Sequence, residues 1–211
     1  SLARGTGRLV SPFLGGGAVE LAVAPATGLF ADNATEIIDL YRTVQSNPED
    51  VYECVRQLAG FGCDKKTYLE IRESAPFSAV AQAARTIYLN RVGYNGMYRT
   101  NKAGKFNIPH GKKNDGSDLE PAWPTMADFA AVSRALRGVV LMSGDWRDTL
   151  AKAGGSCEIE GSTIYCDSPY FGTYDGYGPR WSAEDHRALA EALRVYWRCG
   201  AEVIVSQPDC P

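Results

Sequence analysis

The chain alternates short apolar runs with helix-period segments, and this alternation constrains it more than any other feature. The runs are 8–14 (RLVSPFL), 28–31 (GLFA), 139–143 (VVLMS), 163–166 (TIYC) and 202–206 (EVIVS). Between them lie amphipathic stretches with recognisable starts. Asn33 with Glu36 has the form of a capping box opening a helix over 34–45, whose Ile37, Ile38, Tyr41 and Val44 share a side. Asn47-Pro48 reads as N-cap and first helical position of a second helix with Val51, Cys54 and Leu58 as its stripe. Further helices are predicted over 17–23 and 76–90, from Thr125 to Arg137, from Asp145, and from Ser182 to Arg198, with Gly200 as the stop. Strands alternating with helices predict a mainly parallel sheet with helices on both faces.

At 211 residues the length suits one α/β domain with a smaller lobe. The predicted catalytic domain takes residues 1–46 and 124–211, and 47–123 form an inserted lobe. A composition of 45% hydrophobic and 22% charged residues excludes a disordered or fibrous chain. No apolar run is long enough to span a membrane, and no basic, apolar leader opens the sequence, so the expected location is the cytoplasm. The six cysteines lack CxxC spacing and the two histidines lie far apart, so reduced thiols and no metal site are expected.

The net charge is only −3, yet its distribution is uneven. Arg91, Arg99, Lys102, Lys105, Lys112 and Lys113 fall in a stretch with no Asp or Glu. Such a patch can neutralise phosphates, or be a solvated basic loop. The surrounding residues 91–122 are rich in Gly, Asn, Lys and Pro and read as a long loop or hairpin.

Ligands of open α/β sheets bind beyond the carboxyl ends of the strands, and three such ends carry distinctive residues. Pro12-Phe13-Leu14-Gly15-Gly16-Gly17 follows the first strand. It is a turn over which backbone can approach a ligand closely, or simply a tight structural turn. Asp32 ends the second strand, where a carboxylate can hold ribose hydroxyls or cap a helix. Asp167-Ser168-Pro169-Tyr170 follows the fourth. Its carboxylate can accept from the exocyclic amine of a base on which the Tyr ring stacks, or the four residues can be a plain Pro turn.

Taken together, these residues resemble the Dam-type (class alpha) DNA adenine-N6 methyltransferases. Residues 11–17 (SPFLGGG) follow that family's (Glu/Asp)-Pro-Phe-x-Gly-x-Gly motif except at Ser11. Residues 88–111 (YLNRVGYNGMYRTNKAGKFNIPHG) match its YLNRxxFNGLYRxNxxGxFNxPxG stretch almost throughout, and Asp167-Ser168-Pro169-Tyr170 stands in place of its Asp-Pro-Pro-Tyr.

The resemblance implies a Rossmann-like methyltransferase sheet with a small helical and hairpin target-recognition lobe. It implies S-adenosylmethionine as cofactor and a target adenine flipped out of double-stranded DNA, with no metal. Pro12, Phe13, Gly15, Gly16, Gly17, Asp32, Asn33, Asp145 and Trp146 would bind the cofactor, with Trp146 equally suited to the core. Asp167 and the Ser168 carbonyl would accept the two N6 hydrogens, with Pro169 and Tyr170 completing the catalytic motif. Arg91, Asn95, Arg99, Asn101, Lys102, Lys105, Asn107, Lys112 and Lys113 would meet DNA, mostly at phosphates, with Arg99, Asn101 and Asn107 as base readers and Asn107 equally suited to shaping the hairpin. A cognate restriction enzyme is a further implied partner.

The chain departs from the family at Ser11, at Ser168, in lacking a Lys-Trp-x-Gly-Gly-Lys segment ahead of the first motif, and in stopping just past the fifth strand. The last two features are those expected of a fragment. Two other readings stand beside the first: a cytosine-N4 methyltransferase, and a degenerate relative that binds DNA without methylating it.

Overall fold

Apolar side chains on consecutive residues, rather than on alternate ones, mark strands buried on both faces. The computed structural model, which describes residues 7–101, 103–154, 156–170 and 181–207, has five strands, β1 (Arg8–Ser11), β2 (Thr27–Asp32), β3 (Val139–Ser143), β4 (Thr163–Cys166) and β5 (Glu202–Val205), of which β1, β2 and β4 are largely buried and β3 and β5 only in part. They form one sheet in the order β3-β2-β1-β4-β5, every neighbouring pair parallel. The chain therefore builds outward from β1 through β2 to β3, then crosses to the other side of β1 for β4 and β5. This is a Rossmann-like arrangement, and the direction of winding reverses between β1 and β4.

The helices are α1 (Ala18–Val23), α2 (Thr35–Ser46), α3 (Pro48–Gly60), α4 (Lys65–Glu73), α5 (Ala79–Val92), α6 (Met126–Ala135), α7 (Trp146–Ala153), α8 (Ser156–Ile159) and α9 (Ala183–Arg198). Their starts follow local chemistry. Asp64 caps α4 by accepting from the Lys66 and Thr67 amides, Ser78 caps α5, and Asp145 caps α7. Thr125 and Asp128 exchange bonds at the start of α6, and Ser182 and Asp185 form a full capping box on α9. These bonds hold the Asp128 and Asp185 carboxyls below their ordinary range.

Two local expectations are corrected, and one helix is new. Strand β1 ends at Ser11, because residues 12–17 leave the sheet as a turn. Asn33 lies just outside α2: the helix closes its first bonds on the Ala34 carbonyl, and the Ala34 amide bonds to Asp32. Helix α4 was not foreseen, although Asp64 and Thr67 carry its start signal.

Two compact units result. One comprises the described residues of 7–38, 135–170 and 181–207, and the other those of 39–134. The first holds the whole sheet. Its core joins Val10, Leu29 and Ile164 of the strands to Trp146 and Leu150 of α7 and Leu189 and Leu193 of α9. Burial drives the Cys166 thiol of this core up to about 12, as expected of a structural cysteine.

The second unit is helical. Val51 and Val55 of α3 pack with Ala83 and Ala84 of α5 and with Phe129 of α6. Tyr68 and Ile71 of α4 pack with Tyr88, Leu89 and Val92 of α5. The segment after α5 is paired rather than formless, with antiparallel bridges Gly93–His110, Thr100–Phe106 and Lys112–Asp118.

Candidate active site

The turn after β1 is built by backbone bonds and one carboxylate. The Gly17 amide bonds to the Leu14 carbonyl, and the Leu14 amide to Ala31 on β2. Gly15 and Gly17 have φ of +48° and +62°, which exclude most side chains. Gly16 is different: it has neither a positive φ nor any atom within 4 Å of where a Cβ would stand. No steric contact within the described protein requires glycine there, and the residue is exposed. Pro12 is buried and Phe13 half-buried, its ring edge-on to Trp181 at 5.7 Å.

Asp32, at the end of β2, clamps this turn. One carboxylate oxygen accepts from the Gly15 amide at 2.8 Å and the other from the Ala34 amide at 2.9 Å. Each oxygen keeps a second lone pair. Asn33 beside it is exposed.

Beneath the turn lies a residue that the sequence reading missed. Ser11 donates its hydroxyl hydrogen bond to the Glu20 carboxylate at 2.6 Å, and both residues are buried. Burial pushes the Glu20 carboxyl above its ordinary value, the Ser11 hydroxyl pulls it down, and the carboxylates of Asp167 and Asp32 raise it further. The available signal was an acid inside the apolar run of α1, nine residues after the Ser that replaces an acid.

On the other side of the winding reversal, Asp167 is exposed at the end of β4, with Ser168 buried and Pro169 half-buried beside it. The Tyr170 hydroxyl reaches Asp167 Oδ1 and Ser206 Oγ, both at 3.4 Å. Ser168 accepts a hydrogen bond from the Gln207 amide at 2.8 Å. Gln207, also unforeseen, thereby holds the position where a proline would otherwise stiffen the turn.

Asp145 caps α7 and pairs with Arg147 at 3.3 Å. Trp146 is buried in the core, with the Arg147 guanidinium over its ring at 4.3 Å. Thus the first unit alone brings together Pro12, Phe13, Gly15, Gly16, Gly17, Asp32, Asp145 and Asp167 to Tyr170 around the carboxyl ends of its strands.

The second unit carries the described basic residues; Lys102 lies outside the described residues. Arg91 is exposed in the last turn of α5. Arg99 Nε donates to the Asn107 side-chain oxygen at 2.9 Å across the hairpin. Asn101 accepts from the amides of Ala103 and Lys105 and so builds the hairpin turn, leaving Lys105 exposed at its end. Asn95 is exposed at φ +54°. Lys112 bonds the Gly116 carbonyl, and Lys113 pairs with Glu120 at 3.0 Å.

This segment is anchored from below. The Tyr68 hydroxyl donates to the Ile108 carbonyl and the His110 ring bonds the Cys63 carbonyl. A Cβ on Gly111 would fall 2.9 and 3.0 Å from the Gly93 and Val92 carbonyl oxygens. Much of the 88–111 stretch is therefore scaffold for a hairpin.

The D12 class N6 adenine-specific DNA methyltransferase family matches residues 3–211. This chain belongs to that family. The methyltransferase is 32% identical over 207 residues to the retron Ec67 DNA adenine methylase of Escherichia coli, covering 96% of this chain and 69% of that one. It is 30% identical to a DNA adenine methylase of Vibrio cholerae, with coverage of 95% and 72%. It is 29% identical to a type II methyltransferase of Lactococcus lactis, with the same coverages. Its chemistry is methyl transfer to adenine N6 in DNA from a methyl-donor cofactor, which sets aside the cytosine-N4 reading. None of its described helices is long and apolar enough to cross a membrane.

Proposed function

We propose that this methyltransferase uses S-adenosylmethionine and acts on an adenine turned out of double-stranded DNA. The observation that carries this reading is the placement of two turns, residues 12–17 after β1 and residues 167–170 after β4, on either side of the winding reversal. The exposed backbone at Gly16 and the cluster of Glu20, Asp32 and Asp167 suit a nucleoside ligand that carries positive charge.

When bound, S-adenosylmethionine supplies a methyl group on a sulfonium, already a good leaving group. The protein's part is positioning. Asp167 accepts one hydrogen of the adenine amine and the Ser168 carbonyl accepts the other. Those two bonds turn the nitrogen lone pair toward the methyl, and Asp167 stands beside the nitrogen when it sheds its proton. Tyr170 offers an aromatic surface for the extruded base. Asp32, Asn33 and Asp145 are the polar groups for the cofactor's nucleoside, and Pro12, Phe13 and Gly15–Gly17 form the floor beneath it.

In the second unit, Arg91, Lys105, Lys112 and Lys113 contact phosphates, while Arg99, with Asn107 fixing its guanidinium, and Asn95 are placed for base edges. Asn101 serves the hairpin turn. Residues 1–46 and 124–211 form the catalytic domain and 47–123 the recognition lobe. The similarity to a type II methyltransferase supports a cognate restriction enzyme as partner, and a DNA substrate in bacteria supports a cytoplasmic location.

The test is transfer of labelled methyl from S-adenosylmethionine to mixed-sequence duplex DNA, followed by nucleoside analysis. N6-methyladenine is expected. Salt-sensitive DNA binding with no product would support the degenerate relative instead.

A further inference from the structure

Burying a carboxylate is costly unless a cation or several donors compensate it. Glu20 is 2% exposed, its named polar partner is the neutral Ser11 hydroxyl, and the charges that act on it, Asp167 and Asp32, are both acids. It reaches this position because the Gly17 turn starts α1 immediately under the loop, which directs the third residue of the helix back toward the end of β1. Ser11 holds the first position of the (Glu/Asp)-Pro-Phe-x-Gly-x-Gly motif that residues 11–17 resemble. A carboxylate there would lie against that of Glu20, so the small hydroxyl and the helix acid belong together.

We propose that Glu20, delivered from α1 and held by Ser11, is the buried acidic residue of the methyl-donor pocket in this protein, and that it selects for the donor's sulfonium charge. The inference rests on S-adenosylmethionine being the donor. Three carboxylates then surround one cationic ligand. Two of them, Asp32 and Asp167, are at strand ends and open to solvent in part; the third is sealed underneath, where the attraction is least screened. Glu20 is a positioning and selectivity residue, since Asp167 addresses the reacting nitrogen.

The experiment compares binding of S-adenosylmethionine and its uncharged thioether product, S-adenosylhomocysteine, by calorimetry, together with thermal unfolding of the ligand-free protein. Glu20→Gln keeps the shape and the Ser11 hydrogen bond while removing the charge. It is expected to weaken S-adenosylmethionine about tenfold, to leave the thioether within about twofold, and to raise the melting temperature of the free protein. Ser11→Asp combined with Glu20→Ala, which moves the carboxylate from α1 to the end of β1, is expected to recover the preference for the sulfonium. Equal weakening of both ligands, or a lower melting temperature with unchanged ligand preference, would mean that Glu20 is structural and would overturn the inference. A wild-type protein that binds neither ligand overturns the donor reading itself and this inference with it, whereas a wild type that binds both and a variant that binds identically overturn the inference alone.

Discussion

The side-chain amide of Gln207 donates to the Ser168 hydroxyl at 2.8 Å, tying the turn after β4 to the segment after β5. The Ser206 amide bonds the Cys166 carbonyl, so the two segments are pinned at two points. A proline at 168 would stiffen the turn through its ring; here a side-chain bond to a neighbouring strand does so.

Gln207→Ala is expected to lower kcat several-fold with little change in KM for either substrate, because it frees the turn without touching a ligand. The lost bond is worth about 1 kcal/mol. Adding Ser168→Pro should restore kcat. Steady-state kinetics of the single and double variants check this, and a double variant slower than Gln207→Ala would refute it.

Asp167→Ala is expected to reduce methyl transfer by about 100-fold or more, the scale of losing one preset polar partner. Duplex DNA binding should stay largely intact, since Asp167 belongs to the first unit and the basic segment to the second. Single-turnover methylation and a fluorescence binding assay separate the two effects. Parallel loss of both would remove Asp167 from its assigned role.

Lys105 and Lys113 should differ in how they affect salt dependence. Lys105 is exposed at the hairpin end, while Lys113 already pairs with Glu120. Lys105→Ala is expected to reduce the slope of log K against log salt by about 0.9, the value for one phosphate contact. Lys113→Ala should change it less. Titrations at several salt concentrations measure both, and identical slopes for the two variants would contradict the assignment.

Glu20 also makes stability depend on pH. Its folded pKa is raised above the reference value of 4.5, with burial the main cause. The folded state therefore holds the proton more tightly than the unfolded chain. That contribution is complete below the unfolded value and is lost as pH rises through the folded one. Glu20→Gln mimics the protonated form at every pH. The difference in melting temperature between the variant and wild type should thus be small below about pH 4.5 and grow toward neutrality. Melts across that range test the sign, and a difference that shrinks with rising pH would reverse it.

Much of the fold was legible because its signals are local. Apolar runs at 28–31, 139–143 and 163–166 became strands, and Ser182 with Asp185 and Thr125 with Asp128 became capping boxes. The match over 88–111 pointed to the lobe, but not to how its residues divide the work. Asn101 builds a local turn through the Ala103 and Lys105 amides, whereas Gly111 fits against the Val92 and Gly93 carbonyls brought up from the end of α5. Helix α4 was overlooked although its cap signal is local.

The sequence by itself determined the element types, the family and the residues at the strand ends. Hydrophobic periodicity, caps and contiguous motifs are properties of near neighbours along the chain, and they survive without a fold. Only the tertiary structure decided that Ser11 is answered by Glu20, Ser168 by Gln207, and Asp32 by the Gly15 amide. Those pairings depend on strand order and on the direction in which a turn releases a helix. Burial then sets their strength, because a polar group removed from water must find its partner wherever the fold has placed one.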